Sequence, residues 1–204
     1  MGKGRLEAFS DGVIAVIITI MVLELKVPHG TDAASLVPLL PVFLSYVLSF
    51  VFVGIYWNNH HHLLHAVQQI DGRVLWANLH LLFWLSLVPF VTGWMSENHF
   101  ASFPVALYGF DLVMTGLAYY MLGRILIKRR GTNLALARAL GRDNKAVASI
   151  VLYGAAIALS FWNVWAACIL YVLIAVMWFI PDSRIEHRAM TPKNSDPAER
   201  ANSE

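Results

Sequence analysis

The chain has 204 residues, of which 58% are hydrophobic and 14% are charged, and its formal net charge is +2. Soluble domains usually carry about a quarter charged residues, so this composition excludes an ordinary soluble domain and indicates one membrane-embedded domain. The single cysteine, Cys168, excludes a disulfide within the chain and is expected to pack as a small hydrophobic residue.

Six apolar segments approach the roughly 20 helical residues that a membrane span requires. They cover residues 9–26, 36–64, 73–95, 102–126, 146–161 and 164–181. The last two are short, and a tight turn around residues 160–163 is expected to join them. The sequence therefore predicts an all-α membrane protein with six transmembrane helices in residues 1–181, followed by a polar tail at 182–204 that is expected to be disordered.

The positions of the basic residues predict the orientation in the membrane. Fourteen of the fifteen Lys and Arg residues fall near the termini, at Arg73 or in the 124–145 region, and only Lys26 falls on the other side. Because Lys and Arg accumulate in cytoplasmic loops, we expect a multi-pass protein of the cell membrane with both termini in the cytoplasm. The first apolar run lacks a cleavage pattern and is interpreted as a retained span. Residues 133–145 are either a short interfacial helix or a solvated connector.

The first span begins with several polar side chains, among them Arg5, Glu7, Ser10 and Asp11. Charged residues within a span are costly, so they usually face protein or a water-filled cavity. The alternative is that Arg5 and Glu7 reach the membrane interface while Ser10 or Asp11 caps the start of the helix.

One face of the first span is apolar except for a single hydroxyl. Helical periodicity places five residues on this face: Gly12, Val16, Thr19, Ile20 and Leu23. Such a face packs against lipid or other helices, or it meets its symmetry mates around an axis. In the second case it forms stacked apolar rings that can gate a pore by dewetting. The spacing alone leaves both possibilities open.

The start of this span resembles a known family. Arg5, then Phe9-Ser10-Asp11, then a Val/Ile-rich run containing Thr19, is similar to the start of the transmembrane protein 175 family, the lysosomal potassium channels and their bacterial relatives. The similarity covers the six-span layout to about residue 181, with sparser matches at Tyr56-Trp57 and the following histidines, and at Asn78 and Pro89. Animal members carry two six-helix units, whereas this chain carries one, as the bacterial branch does.

The resemblance implies a homotetramer with a central pore lined by span 1 and embedded in membrane lipid. The narrowest layer falls on Val16, a hydroxyl layer falls on Thr19, and Ile20 and Leu23 complete the outer rings. The family usually has Ile or Leu at the narrow layer, so Val16 implies a wider constriction or a gate at Ile20 and Leu23. Because apolar rings offer no ligand to replace water, we expect modest selectivity for K+ over Na+.

The polar start of span 1 is expected to hold the copies of this helix in register. Arg5, Phe9, Ser10 and Asp11 form this scaffold, and the supporting polar residues are expected to include the following three: Trp57, His61 and Asn78. Glu24 is expected near the outer mouth of such a pore, where it either raises the local cation concentration or pairs with Lys26.

The histidines in NNHHHLLH, residues 58–65, are a possible metal-binding pattern. His61 and His65 have the i, i+4 spacing of a zinc pair, but no nearby carboxylate or cysteine completes a ligand set. We therefore expect no metal and no other cofactor. Polar packing near Arg5 and Asp11, with titration of one or more histidines near neutral pH, is the favoured role.

Asp111 in span 4 supports an alternative function. A carboxylate at membrane depth is typical of a proton or cation relay, as in a small secondary or proton-coupled transporter, although Asp111 could also pair with a neighbouring helix. Matching pairs of Gly/Pro-broken helices, which mark many transporters, are not visible. No nucleophile with a base, metal set or phosphate loop is visible either, so neither an enzyme activity nor a nucleic-acid partner is expected.

Overall fold

The computed structural model describes residues 2–65, 70–128 and 144–179. These residues form six α-helices and a short 3-10 helix, Ala33–Leu39, that precedes the second of them. The α-helices are α1 (Lys3–Leu23), α2 (Leu40–His65), α3 (Gly72–Glu97), α4 (Ser102–Ile127), α5 (Asn144–Ser160) and α6 (Val164–Phe179). The predicted all-α class with six helices is confirmed. The tail 182–204 and nearly all of 133–145 lie outside the described residues.

Four segments are long and apolar enough to cross a membrane, by length and composition: Lys3–Leu23, Ala33–His65, Gly72–Glu97 and Ser102–Ile127. The 26 residues of α3 span roughly 39 Å, which exceeds the ~30 Å hydrocarbon core. A helix pairs its own backbone N–H and C=O groups, which is required in the hydrocarbon core because lipid tails offer these groups no hydrogen-bond partners. The helices α5 and α6 are apolar but shorter, with 17 and 16 residues, and the turn at Ser160–Asn163 joins them as predicted.

The first helix begins earlier than predicted. It starts at Lys3 rather than at residue 9, and its N-cap is Gly2, which makes no side-chain cap. Ser10 and Asp11 therefore lie about two turns inside the helix, so the interpretation that one of them caps the helix start is wrong. The second span also differs from the prediction, because residues 33–39 form the 3-10 helix that contains Pro38.

The helices pack as two groups that share α3 and α4. The helix α1 contacts α2 and α3, whereas the α5–α6 hairpin contacts α4, and α3 and α4 lie together along their length. A tight turn joins α3 to α4: the amides of His99 and Phe100, both with positive φ, donate to the carbonyls of Ser96 and Met95 at 3.3 and 3.0 Å. This pattern is a Schellman motif, which satisfies the last carbonyls of α3.

Two apolar clusters form the core. One joins α1 to the C-terminal half of α4 through Leu6, Leu64, Leu81 and Leu122. The cluster runs along α1 from Leu6 to Met21. We call the side of the bundle where α1 begins and α2 ends the N-terminal side. The other cluster joins the N-terminal half of α4 to α5 and α6. Because both halves of α4 are buried, this helix connects the two clusters.

Candidate functional site

The helix α1 has one buried face. The spacing of its buried residues is four, four, three and four: Leu6, Ser10, Ile14, Ile17 and Met21. This is the period of one helical face, and its residues pack against α2 and α3. The burial fixes which side of α1 points into the bundle.

The opposite side of α1 is exposed, and we call it the uncovered face. It consists of the five residues of the predicted apolar face: Gly12, Val16, Thr19, Ile20 and Leu23. The exposed fractions of Val16, Ile20 and Leu23 are 55%, 42% and 80%. Large apolar side chains in an exposed row mark an interaction surface or a lipid contact. No described part of this chain covers them.

The hydroxyl of Thr19 is oriented by its own helix. Its Oγ1 donates to the carbonyl oxygen of Val16 at 2.9 Å. Because the single hydroxyl proton is used in this bond, the remaining lone pairs of Oγ1 are free to accept. The uncovered face therefore presents one oxygen acceptor between apolar residues.

A groove of about 970 Å³ runs beside the uncovered face. Its α1 wall includes Val13, Val16 and Ile20, and its α3 wall includes Phe90 and Trp94. Its lining is mainly apolar and ends with two carboxylates, Glu24 and Glu97. The groove thus extends the apolar surface of α1 onto α3.

Three buried polar side chains connect α1 to α2 and α3, and we call them the anchor network. Asn78 Nδ2 donates to Ser10 Oγ at 2.9 Å, and Asn78 Oδ1 lies 2.7 Å from His60 Nε2. Ser10 Oγ in turn donates to the carbonyl of Leu6 at 2.8 Å. All three side chains are at most 1% exposed. Leaving one such group unpaired costs ~1–3 kcal/mol, so the network opposes rotation of α1.

The remaining residues of the predicted scaffold lie at the edge of this network. Trp57 Nε1 donates to Asp11 Oδ1 at 3.0 Å, so α2 also holds α1 at the protein surface. Phe9 is 47% exposed and lines the groove. Arg5 is exposed, and its side chain forms no hydrogen bond or ion pair with the described residues.

The sequence singled out His61, but the structure brings His60 to the anchor network. His61 is exposed and stacks on His65, with ring centroids 5.3 Å apart. The buried face of α2 contains Ser49, Val53 and His60, at spacings of four and seven. Continuing this period into the histidine run would have identified His60.

The N-terminal side also carries a partly buried ionic contact between α1 and α2. Lys3 Nζ lies 3.8 Å from Glu7 Oε1 and donates to the carbonyl of His65 at 3.0 Å. Glu7 Oε1 is also 4.0 Å from His65 Nδ1. The described residues contain no group of three His, Cys, Asp or Glu side chains that could hold a metal ion.

At the other end of α1, Lys26 pairs with α3 rather than with Glu24. Lys26 Nζ donates to Glu97 Oε1 at 2.6 Å. This hydrogen bond and the charge of Glu97 raise the pKa of Lys26. Glu24 lies at the C-cap of α1, so its carboxylate and the Lys26–Glu97 pair stand at the same end of the groove.

Asp111 lies away from α1. It is 2% exposed and sits in α4 one turn before Thr115, which is fully buried. Neither oxygen of the Asp111 carboxylate has a hydrogen-bond partner among the described residues, and neither does Thr115 Oγ1. The expected pairing of Asp111 with a neighbouring helix is thus absent from the part of the chain that the structure describes.

The fold and the site define a polytopic α-helical membrane protein whose first helix is anchored on one side and uncovered on the other. The family described as the endosomal/lysosomal potassium channel TMEM175 matches residues 5–89, which contain the anchor network and the uncovered face. A protein named as a potassium channel from a Chryseobacterium species is 55% identical over 91% of this chain and 97% of its own length.

Two further comparisons agree with this match. A protein named as a potassium channel from Streptomyces collinus is 35% identical over 59% of this chain and 62% of its own length. The crystal structure of a lysosomal potassium-selective channel TMEM175 homolog from Chamaesiphon minutus superposes with a TM-score of 0.76 at 28% identity, covering 87% of this chain and 96% of that chain. This chain belongs to the TMEM175 family, as its first span predicted.

Proposed function

We propose that the protein is a potassium-permeable cation channel, modestly selective for K+ over Na+. In this proposal four copies assemble around a central pore lined by α1, in the cell membrane, with both termini in the cytoplasm. The names of the Chryseobacterium and Streptomyces relatives and of the Chamaesiphon structure support a potassium channel. The distribution of Lys and Arg supports the orientation.

The uncovered face of α1 is the observation that carries this proposal. The helix α1 packs through its buried face and exposes Val16 and Leu23, and either lipid or neighbouring copies can cover such a face. The match of residues 5–89, which contain α1, to the TMEM175 family supports coverage by neighbouring copies. Four such faces around an axis would stack apolar rings along the conduction path. The apolar groove beside α1 gives a neighbouring copy a surface on which to pack.

The chemistry of the uncovered face supports modest rather than strong selectivity. Apolar rings at Val16, Ile20 and Leu23 supply no oxygen to replace the hydration shell of an ion. An ion that sheds water easily therefore passes best, which favours K+ over Na+. Thr19 Oγ1, whose proton is donated to Val16, would supply one oxygen per copy to a partly dehydrated cation.

The anchor network would set the angle at which the uncovered face meets the axis. Rotating α1 by one residue, about 100°, would carry Thr19 and Val16 out of line. The bonds from Asn78 to Ser10 and to His60 hold that angle from the buried side, and the bond from Trp57 to Asp11 holds it from the surface.

Recording of the purified protein in a planar bilayer tests the proposal, with K+ on one side and Na+ on the other. We expect unitary current steps and a reversal potential that favours K+. Leu23→Ala, Ile20→Ala and Val16→Ala should each change conductance or selectivity. The matched control is Val22→Ala, because Val22 is a neighbouring apolar residue that is 43% exposed on another side of the same helix.

Two results would count against this assignment. Equal effects of Val22→Ala and Leu23→Ala would show that the uncovered face does not line the pore. Slow, saturating cation flux that depends on a gradient of a second ion, without unitary steps, would replace the channel with a secondary transporter. Asp111 would then be the first residue to test.

A further inference from the structure

Asp111 and Thr115, which we call the α4 pair, are buried polar residues that the proposed pore does not use. They are separated by four residues, so their side chains lie next to each other on one face of α4. Asp111 is 2% exposed and Thr115 is 0% exposed. Their three side-chain oxygens find no hydrogen-bond partner among the described residues.

Two tyrosine hydroxyls around this part of α4 are already engaged. Tyr108 Oη bonds with Ser49 Oγ at 3.1 Å. Tyr171 of α6 donates to the carbonyl of Val105 at 3.1 Å. Since these protons have other acceptors, neither tyrosine is placed to neutralise a carboxylate at Asp111.

Other titratable groups near α4 leave Asp111 without a donor as well. Tyr119 donates to a backbone carbonyl of α2 at 3.4 Å, and His80 of α3 accepts a hydrogen bond from Trp84. The same part of the bundle also contains Tyr56 of α2, Tyr153 of α5 and the Cys168 thiol of α6. None of these groups is within hydrogen-bond distance of the Asp111 carboxylate.

No cation faces the α4 pair from the described helices. The described side chains of α5 and α6 include no charged residue, and neither does α2. The charged residues of α3, Arg73 and Glu97, lie at its two ends, and Arg124 lies at the C-terminal end of α4. An ionised Asp111 would therefore be a buried charge without a counter-ion, which is among the most costly arrangements in a membrane protein.

We propose that Asp111 and Thr115 form a proton-binding site inside the bundle. The Asp111 carboxylate takes its proton from solvent water and carries it in the packed state, with the Thr115 hydroxyl one turn further along α4. A proton removes the charge and occupies almost no volume, whereas a metal cation would require a cavity and several oxygen ligands. This site is separate from the uncovered face of α1.

The proton links the packing of α4 to pH. If the folded protein binds this proton and the unfolded chain has lost it, raising the pH removes stability from the folded state. The Asp111→Asn variant stays uncharged at every pH. The difference between its melting temperature and that of the wild type should therefore change in favour of the variant as pH rises. Because α4 connects the two apolar clusters, ionisation would loosen a helix that both clusters share.

Infrared spectroscopy of the full-length protein in lipid vesicles tests the site directly. A protonated carboxylic acid has a C=O stretch apart from the bands of a carboxylate. We expect that band near neutral pH in the wild type, its loss in Asp111→Asn, and its retention at a shifted position in Asp111→Glu. The matched control is Glu24→Gln, which removes an exposed carboxyl group and should leave the band intact.

Isotope labelling of aspartate in the wild type keeps the test independent of whether a variant folds. Labelling aspartate should shift the C=O band of the acid relative to the unlabelled protein. In Thr115→Val the same band should change position, because the nearby hydroxyl is absent. Carboxylate bands alone near neutral pH would overturn the proposal. So would an Asp111 carboxylate band that moves when K+ is exchanged for a bulky organic cation, because the site would then hold a metal cation instead.

Discussion

The anchor network and the α4 pair are both buried polar groups, but their hydrogen bonding differs. In the anchor network, Asn78 bonds to both Ser10 and His60, and each bond joins two helices. In the α4 pair, Asp111 and Thr115 have no side-chain partner among the described residues. Burial alone therefore does not distinguish them, since members of both are nearly inaccessible.

This difference indicates two uses for polar residues at membrane depth. Paired groups fix how helices sit against one another, because every rotation breaks a hydrogen bond. A second paired cluster between α2, α3 and α4 behaves in the same way, with Ser49 Oγ lying 2.7 Å from Thr92 Oγ1. Unpaired groups gain nothing from the packing, so they are retained for a ligand or are tolerated at a cost in stability.

Replacing Asn78 gives the largest expected effect. Asn78→Leu removes both bonds of the anchor network and leaves His60 buried without its partner, which costs ~1–3 kcal/mol for that group alone. We expect a clear fall in the melting temperature of the purified protein. Tryptophan fluorescence, or size-exclusion chromatography after heating, measures this fall. The same variant should also perturb conduction, because α1 would lose the contact that sets its rotation.

Asn58→Leu is the matched control for this loss. Asn58 lies on α2 and is exposed, so the same chemical change there should leave the melting temperature close to that of the wild type. Similar losses at positions 58 and 78 would show that the anchor network has no special role.

Two buried threonines allow the comparison to be repeated with a smaller, nearly isosteric change. Thr92→Val removes a hydroxyl that bonds to Ser49 and to the carbonyl of Val88, and we expect a loss of about 1 kcal/mol. Thr115→Val removes a hydroxyl without a partner among the described residues, so stability should stay level or rise. Chemical denaturation in detergent measures both variants under one protocol. A larger loss at Thr115 than at Thr92 would contradict the distinction between paired and unpaired groups.

Much of this fold was predictable from local patterns. Hydropathy identified the helices, and the period of α1 placed Gly12, Val16, Thr19, Ile20 and Leu23 on one face, which the bundle indeed leaves uncovered. That this face lines a pore stays a prediction. The family was predictable because Phe9-Ser10-Asp11 at the start of span 1 resembles the start of the family's first span, within the residues 5–89 that the family model matches.

The partners of individual side chains were less predictable. Sequence periodicity gives the direction of a side chain on its own helix but not the rotation or height of the neighbouring helix. The choice between His60 and His61, and between Glu24 and Glu97 as the partner of Lys26, depends on that non-local geometry. The start of α1 was missed for another reason: Arg5 and Glu7 lower the hydropathy of a turn that is nevertheless helical.

The smallest expected effect lies at the Lys26–Glu97 pair. Its two side chains are hydrogen-bonded to each other, as in the anchor network, but they are exposed rather than buried. Its side chains are 77% and 52% exposed, so solvent and salt screen the attraction. Glu97 raises the pKa of Lys26, which means that the pair contributes at neutral pH and is lost as pH rises through that raised alkaline value. We expect Glu97→Gln to lower the melting temperature slightly at low salt near neutral pH. The difference from the wild type should shrink at high salt and again at strongly alkaline pH. Glu24→Gln is the comparison variant: the charge of Glu24 also raises the pKa of Lys26 but less than Glu97 does, and Lys26 donates to Glu97, so the effect of this variant should be smaller. A loss at Glu97 that salt does not reduce would show that this surface pair behaves like the buried anchor network.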